Sequence, residues 1–519
     1  MKAERLFRIL GLVDESLVEE AVSASSPAAV QRRRRHPWRR LAAAAACLAV
    51  ICGGVFLAGT FRMGGSTGEA DGGTAPGESG DGHNAGTTFM SYAGPVFPLT
   101  TVETDTGLTA ERTVTWDFTP GTYQDGSPRQ WGAQVTDDYV LTNPTEADVT
   151  VTALYPFAGS LADLGTLAPA VTVDGEAADT TLHAGAYAGG FRDAGVDDGS
   201  TWNLAPPGSF QDYVSLLEDG SYLSQALGDA PALDIPVTVY RFSDFAAPLE
   251  EYDAATQAVA FTIDPETTTV LSYGFNGLTQ DTETGWRQYD YFVPDGIRSE
   301  SELKLLVVLG EDIGDYTLQG YANGACEEAI DGVSCAVTWH ETTLDAVLTE
   351  LCQAELHDSG QSAQWPGLDQ LPIPLYQRAV TESLLTSGLL ADTPADRYMD
   401  GRLDDFLWDV LVQERVLYLA FPVTVPAGGS VTVATSLWKA PSYDYGCSGS
   451  ENVGLQGYDL VTALGSTLDF TGQTAALVNT DTIEIIRQNL GFDLENGVTE
   501  VAMDLTEPHY YLEIRPLEE

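Results

Sequence analysis

Residues 41–61 run for 21 positions without a charge, and six arginines (Arg32, Arg33, Arg34, Arg35, Arg39 and Arg40) stand just before them. A helix rises about 1.5 Å per residue, so about 20 residues cross a hydrocarbon core of about 30 Å. The run predicts a membrane-spanning helix. Arg62 follows it, and no further lysine or arginine occurs before Arg112. By the positive-inside rule, residues 1–40 then lie in the cytoplasm and the rest of the chain outside. The competing reading is a cleaved signal peptide, whose apolar core is about 7–15 residues and ends in an A-x-A-like site. This run is longer, and Ala58-Gly59-Thr60 matches that site poorly.

Charge separates the two sides. Nine basic and five acidic groups precede residue 41, a net of +4, while the remainder carries −56 of the total −52. Opposite signs in one chain point to two environments. A surface this acidic repels nucleic acid and anionic lipid, so no nucleic-acid partner is expected. Apolar residues make up 44%, enough for most of the chain to build a core. The organisation expected is a cytoplasmic tail over 1–40, a transmembrane helix over 41–61 and a flexible Gly/Ser-rich linker over 62–94. An extracellular β-sandwich-like domain over 95–300 follows, then a mixed domain over 301–519 with helices at about 341–412.

From residue 95 onward the pattern is mainly β. Thr113–Phe118 alternates with period two, and Gln134–Leu141, Asp148–Leu154, Ile235–Tyr240 and Val259–Ile263 are further strands between polar turns. Pro236 has no N–H to donate, so its segment reads as an edge strand. Leu303–Leu309 is apolar throughout, as a buried strand is. Leu344, Leu348 and Leu351 mark one helix, Tyr376, Val380 and Leu384 a second, and Phe406, Val410 and Leu411 a third. Val416–Val425 and Ser430–Thr435 flank Pro426-Ala427-Gly428-Gly429 and read as a hairpin. Tyr510–Ile514 reads as a closing strand. The fold class expected is antiparallel β-sandwich-like domains with a helical insertion.

Motifs for chemistry are sparse. The many carboxylates make adjacent pairs such as Asp404-Asp405 uninformative. No Gly-x-Ser-x-Gly elbow with a credible triad occurs. His340-Glu341 lacks the second histidine of a zincin helix, and the spacing of His340, Cys352 and His357 matches no common zinc pattern. No catalytic, cofactor-binding or metal-ligating residue is therefore assigned, and no cofactor is expected. Four cysteines lie beyond the span: Cys326, Cys335, Cys352 and Cys447. Outside the cell they allow two disulfides in three pairings, Cys326 with Cys335 being the preferred one, or remain as buried thiols. Lysine is almost missing: Lys2, Lys304 and Lys439 are the three in the chain.

In the tail, Leu6, Leu10, Val13 and Leu17 recur at helical spacing, and Ser16-Leu17-Val18-Glu19 forms a capping box. Helices this short need a partner or a membrane surface to persist. The stretch Arg5–Ala21, followed by a basic run and an Ala- and Cys-containing span, resembles uncharacterised single-pass proteins of gut Firmicutes. Some of these look like membrane-bound anti-sigma factors. Asn143–Thr145 through Tyr155–Phe157, and Val423–Thr435, resemble the exported β-rich domains of such bacteria. The resemblance implies a cytoplasmic sigma factor as partner of the tail and an unknown extracellular ligand for the outer part. Arg5–Ala21 lacks the His and Cys of zinc-containing anti-sigma domains. The expectation is a cell-envelope sensing or binding protein, not an enzyme. An envelope structural or adhesion protein without signalling, and a membrane-anchored hydrolase, are the alternatives.

Overall fold

The structure, a computed structural model, describes residues 92–122, 126, 128–129, 131–185, 209–248, 255–293, 303–360, 365–386, 390, 401–444 and 452–517. The expected span 41–61, the tail positions Leu6, Leu10, Val13 and Leu17, and Cys447 lie outside these residues. Among the described residues no helix is long and apolar enough to cross a membrane.

Labels follow the chain for strands of three residues or more and for the five longer helices. The chain opens with β1 (Thr109–Asp117), β2 (Ala133–Thr142), β3 (Val149–Gly159), β4 (Ala170–Val173) and β5 (Thr181–Ala184), then α1 (Phe210–Leu217) and α2 (Ser221–Leu227). A run of strands follows: β6 (Pro236–Ala246), β7 (Ala255–Thr262), β8 (Thr268–Tyr273), β9 (Gly277–Asp281), β10 (Trp286–Val293), β11 (Lys304–Gly310), β12 (Thr317–Tyr321) and β13 (Ser334–Thr343). Next come α3 (Leu344–Gly360), α4 (Ile373–Thr386) and α5 (Leu403–Val412). The chain closes with β14 (Arg415–Val425), β15 (Ser430–Lys439), β16 (Gln456–Val461), β17 (Asp469–Val478), β18 (Ile483–Gln488), β19 (Glu500–Ala502) and β20 (His509–Pro516).

The architecture is mainly β, with several antiparallel sheets. The largest has seven strands in the order β19-β17-β1-β2-β15-β4 and then Glu176–Ala177, with β1 and β17 parallel. Along β1 the inward positions are Ala110, Arg112, Val114 and Trp116, and along β2 they are Ala133, Val135, Asp137, Tyr139 and Leu141. Half of this inner face packs on a second sheet, Thr100–Thr101 with β3, β14 and β5. The other half packs on a third sheet, Tyr443–Asp444 with β16, β20 and β18. Arg112 and Asp137 occupy the seam between the two halves. Arg112 Nε and Nη2 donate to the Asp137 carboxylate at 2.7–3.0 Å, Nη1 donates to Val461 O at 2.7 Å and Nη2 to Phe97 O at 3.2 Å. Tyr139 Oη donates to the same carboxylate at 2.8 Å. Burial pushes the Asp137 carboxyl up, and the Arg112 guanidinium opposes that push.

The second sheet is covered on both faces, which is why β3 and β14 read as almost continuous apolar runs. Val151, Ala153, Leu417 and Leu419 face the seven-stranded sheet and the helices, while Leu154, Ala158, Val416 and Tyr418 face α1 and α2. The sheet β8-β11-β6-β13 is likewise covered twice. Leu305 and Val307 pack with α3–α5, and Leu306 and Val308 pack in a sandwich with the sheet β9-β10-β7-β12 and Ala329–Ile330. The apolar run Leu303–Leu309 is therefore the centre of three layers.

Three expectations are corrected. Pro236 begins a central strand, not an edge: β6 lies between β11 and β13. It is tolerated there because it is the strand's first residue. The segments on either side of Pro426–Gly429 do not form a hairpin. β14 pairs with β3 and β5, whereas β15 pairs with β2 and β4, so the turn carries the chain from one sheet to the other. Nor does a boundary fall at residue 300. β1 and β2 pair with β17 and β15, and β11 pairs with both β8 and β6, so strands from both halves share sheets.

Candidate functional site

Lysine is almost never fully buried without a partner. Yet Lys304 and Lys439, the two lysines among the described residues, are 0% and 3% exposed. Period two places both. Lys439 continues the inward row Val431, Val433, Thr435 and Leu437 of β15, and Lys304 precedes Leu306 and Val308 on the sandwich face of β11. Lys304 lies over the rings of Tyr291 and Phe245, its Nζ 5.3 and 5.7 Å from their centroids.

Around Lys439 the structure gathers a cluster of titratable groups. Lys439 Nζ donates to Ala93 O and Ala440 O, each at 2.9 Å. Glu414, the residue before β14, faces it, because the start of β14 and the end of β15 lie at the same end of their two sheets. Burial pushes the Glu414 carboxyl up to about 7, against the pull of Lys439 and with help from Asp163. Burial pushes the Lys439 amine down to about 8, against the pull of Glu414 and Asp459. Asp163 accepts from Ser160 Oγ at 2.6 Å and sits near Arg129. Asp459, on β16, accepts from Tyr92 Oη at 2.5 Å and lies 2.8 Å from His509 Nε2. The His509 ring stacks on Phe210 at the start of α1, at a centroid distance of 4.1 Å. This junction joins the first described residues, the ends of three sheets and α1. Its Glu414–Lys439 pair gains or loses a proton close to neutral pH, a property common at functional sites. Ser160 bonds Asp163, which supplies no imidazole base for nucleophilic catalysis.

A second feature is an open groove of about 410 Å³ across the outer face of the seven-stranded sheet. Glu111, Thr113, Asp138, Thr172 and Thr432 line it around the small side chain of Ala434. Burial and the neighbouring Asp137 push the Asp138 carboxyl up. The lining mixes these carboxylates and hydroxyls with apolar groups such as Val140 and Ala434.

The residues singled out from sequence are not brought together. Cys326, Cys335 and Cys352 are free thiols, so the preferred pairing of Cys326 with Cys335 is not formed. Cys326 lies by Asp290 and Tyr321, whereas Cys335 bonds the Tyr291 side chain. Asp290 and Tyr291 are successive in β10 and point to opposite faces, which separates the two thiols. Cys352 is buried in the helical core, its thiol pushed up by burial. His340 is exposed on β13 and His357 is exposed on α3, away from the buried face that holds Cys352. The Lys439 cluster was missed from sequence. Its signal is a lysine in phase with an inward apolar row, in a chain with almost no lysine. No protein-family model matches the chain, and no curated protein and no solved structure matches it.

Proposed function

We propose that the chain is a single-pass cell-envelope protein whose acidic, mainly β outer part binds or senses an extracellular ligand. In this reading its tail passes the signal inward by holding a sigma factor on Leu6, Leu10, Val13 and Leu17. The observation that carries the reading is the change of sign across the uncharged run, from +4 before residue 41 to −56 after it. That asymmetry sets both orientation and division of labour. The sheet-built part supports it, since rigid strands present an open groove lined by carboxylates, hydroxyls and apolar groups. No catalytic role is assigned.

Replacing Leu6, Leu10 and Leu17 together by aspartate tests the signalling half. The apolar stripe is then interrupted at three of its four positions, and a helix held by that stripe loses its partner. Transcription under the partner sigma factor should change as fully as in a strain lacking the protein, with the outer part still displayed. Transcripts that match the unaltered strain would reduce the tail to a topology signal and leave an envelope structural protein.

A further inference from the structure

Residues 92–101 run through the interior as a strap. All but Ala93 are buried, yet the segment becomes a strand only at Thr100–Thr101. Its first half is held by two isolated bridges, Tyr92 to Tyr443 and Val96 to Leu460. Ala93 N donates to Ser442 O at 2.7 Å, and Val96 N donates to Asp459 O at 2.8 Å. Between these bonds the chain threads a tight gap. Gly94 has a φ of +72°, and a Cβ there would lie 2.5 Å from Ala158 Cβ and 3.1 Å from the Tyr213 ring.

Different chemistry holds the two halves. Phe97 O accepts from Arg112, and Leu99 N donates to Tyr139 Oη at 2.8 Å, so the second half is tied to the seam of the seven-stranded sheet. Residues 92–96 rest instead on the titratable junction. Ala93 O caps Lys439 Nζ, and Tyr92 Oη donates to Asp459. Gly94 packs on Tyr213, which faces Glu414 from α1 with Asp212 beside it. Lys439 faces Glu414 from β15, and Asp163 faces it from the loop after β3, with Arg129 near Asp163. Asp459 faces Lys439 from β16 and holds His509 of β20. The strap therefore covers two of the side chains that face Glu414, Lys439 and Tyr213.

We infer that residues 92–96 open and close with exchange of a proton at Glu414, staying docked at acidic pH and lifting more often as the pH rises to neutrality. Lifting takes Ala93 O from Lys439 Nζ and lets water into the gap at Gly94. Glu414 is then hydrated and returns toward its ordinary value. In the docked form burial raises its carboxyl from 4.5 to about 7. A raised acid favours the docked form in full below about 4.5, and that advantage is lost as the pH rises through about 7. Lys439, lowered to about 8, keeps its charge in both forms over the same interval and adds little to the dependence. The second half of the strap, held by Arg112 and Tyr139, stays in place and acts as the hinge. This device goes beyond the proposed function and requires neither the membrane nor the sigma factor.

The test is hydrogen–deuterium exchange of the detergent-solubilised full chain at pH 5.5 and pH 7.5, corrected for the intrinsic pH dependence of exchange. Peptides over residues 92–97 report the strap, and peptides over β1 report the core beneath it. The open population at 92–97 should rise about tenfold or more between the two pH values, while β1 stays protected at both. Glu414→Gln matches the protonated acid in shape and should hold the strap at its pH 5.5 level throughout. His509→Gln should leave the rise in place. Gly94→Ala should open the strap at both pH values, because its Cβ has no room in the docked form. Equal protection of 92–97 at pH 5.5 and pH 7.5 in the unaltered chain would overturn the inference, whatever the variants do. So would a rise that survives Glu414→Gln, a rise that disappears with His509→Gln, or exchange of β1 in step with the strap. Gly94→Ala exchanging like the unaltered chain would show that no docked strap exists to be released.

Discussion

Arg112→Met should lower the stability of the β-structured part by about 3–5 kcal/mol in equilibrium denaturant unfolding, the usual cost of removing one partner from a buried ion pair. The size follows from position. Arg112 and Asp137 lie where two sheets meet on the face of the seven-stranded sheet, and both are buried. Removing the guanidinium leaves the Asp137 carboxylate without its cation. It also strips the donors from Val461 O and Phe97 O, which belong to the elements packed across the seam. A buried carbonyl without a donor costs about 1–3 kcal/mol. The pair itself is weak evidence of net stability, because desolvation offsets most of its attraction. The double replacement Arg112→Met with Asp137→Leu should therefore recover most of the loss. If the double variant is as unstable as the single one, the damage comes from packing and not from the stranded charge.

Lys439→Met should produce a loss that depends on pH. In the native protein the Glu414 carboxyl is raised from 4.5 to about 7, so its charged form costs nothing below about 4.5 and its full amount above about 7. The Lys439 amine is lowered from 10.5 to about 8, so its charge costs its full amount below about 8 and nothing above about 10.5. Both penalties are present together between about 7 and 8, where Lys439 offsets the Glu414 charge and Glu414 with Asp459 offsets the Lys439 charge. Without the amine, the Glu414 carboxyl moves higher still and faces Asp163 with no compensating cation. At pH 5 the variant should stay close to the unaltered protein, because removing the amine removes the cost of its buried charge and this offsets the about 1–2 kcal/mol lost when two carbonyls lose a donor. At pH 8 the variant should be about 1–2 kcal/mol less stable than at pH 5 relative to the unaltered protein, because Glu414 must then stay charged without its cation or take up a proton at about 1.4 kcal/mol for each pH unit above its native value. Adding Glu414→Gln should remove the pH-dependent part. Equal losses at pH 5 and pH 8 would mean that Glu414 and Lys439 do not interact as their burial requires.

Both pairs show where sequence reading succeeds and where it stops. The strands of β1, β2, β3 and β7, and the helices α3–α5, are legible because local periodicity creates them. The apolar run of β11 is legible as a buried strand for the same reason. Which strands become neighbours is not local information. β14 and β15 are joined by a short turn and look like a hairpin, yet each pairs along its whole length elsewhere, with β3 and β2. Pro236 misleads because a missing N–H excludes a strand's interior but not its first residue. Arg112 and Lys439 both stand in phase with inward apolar residues, so each was visible as a charge on the wrong face. Their partners, Asp137 and Glu414, are separated from them by 25 residues in each case and were not visible. Leu6, Leu10, Val13 and Leu17 remain a reading from spacing and resemblance.

The central claim is that opposite charge marks opposite sides of a membrane, and its most direct test is protease treatment of intact cells with epitope tags at Met1 and Glu519. The proposal predicts that the C-terminal tag and all sequence beyond about residue 90 are digested, while a fragment bearing the Met1 tag, the arginine cluster and the span 41–61 is protected. Protection of the C-terminal tag on intact cells, with digestion only after lysis, would contradict it. The acidic β-structured part would then lie inside, and the sensing reading would not hold at the cell surface.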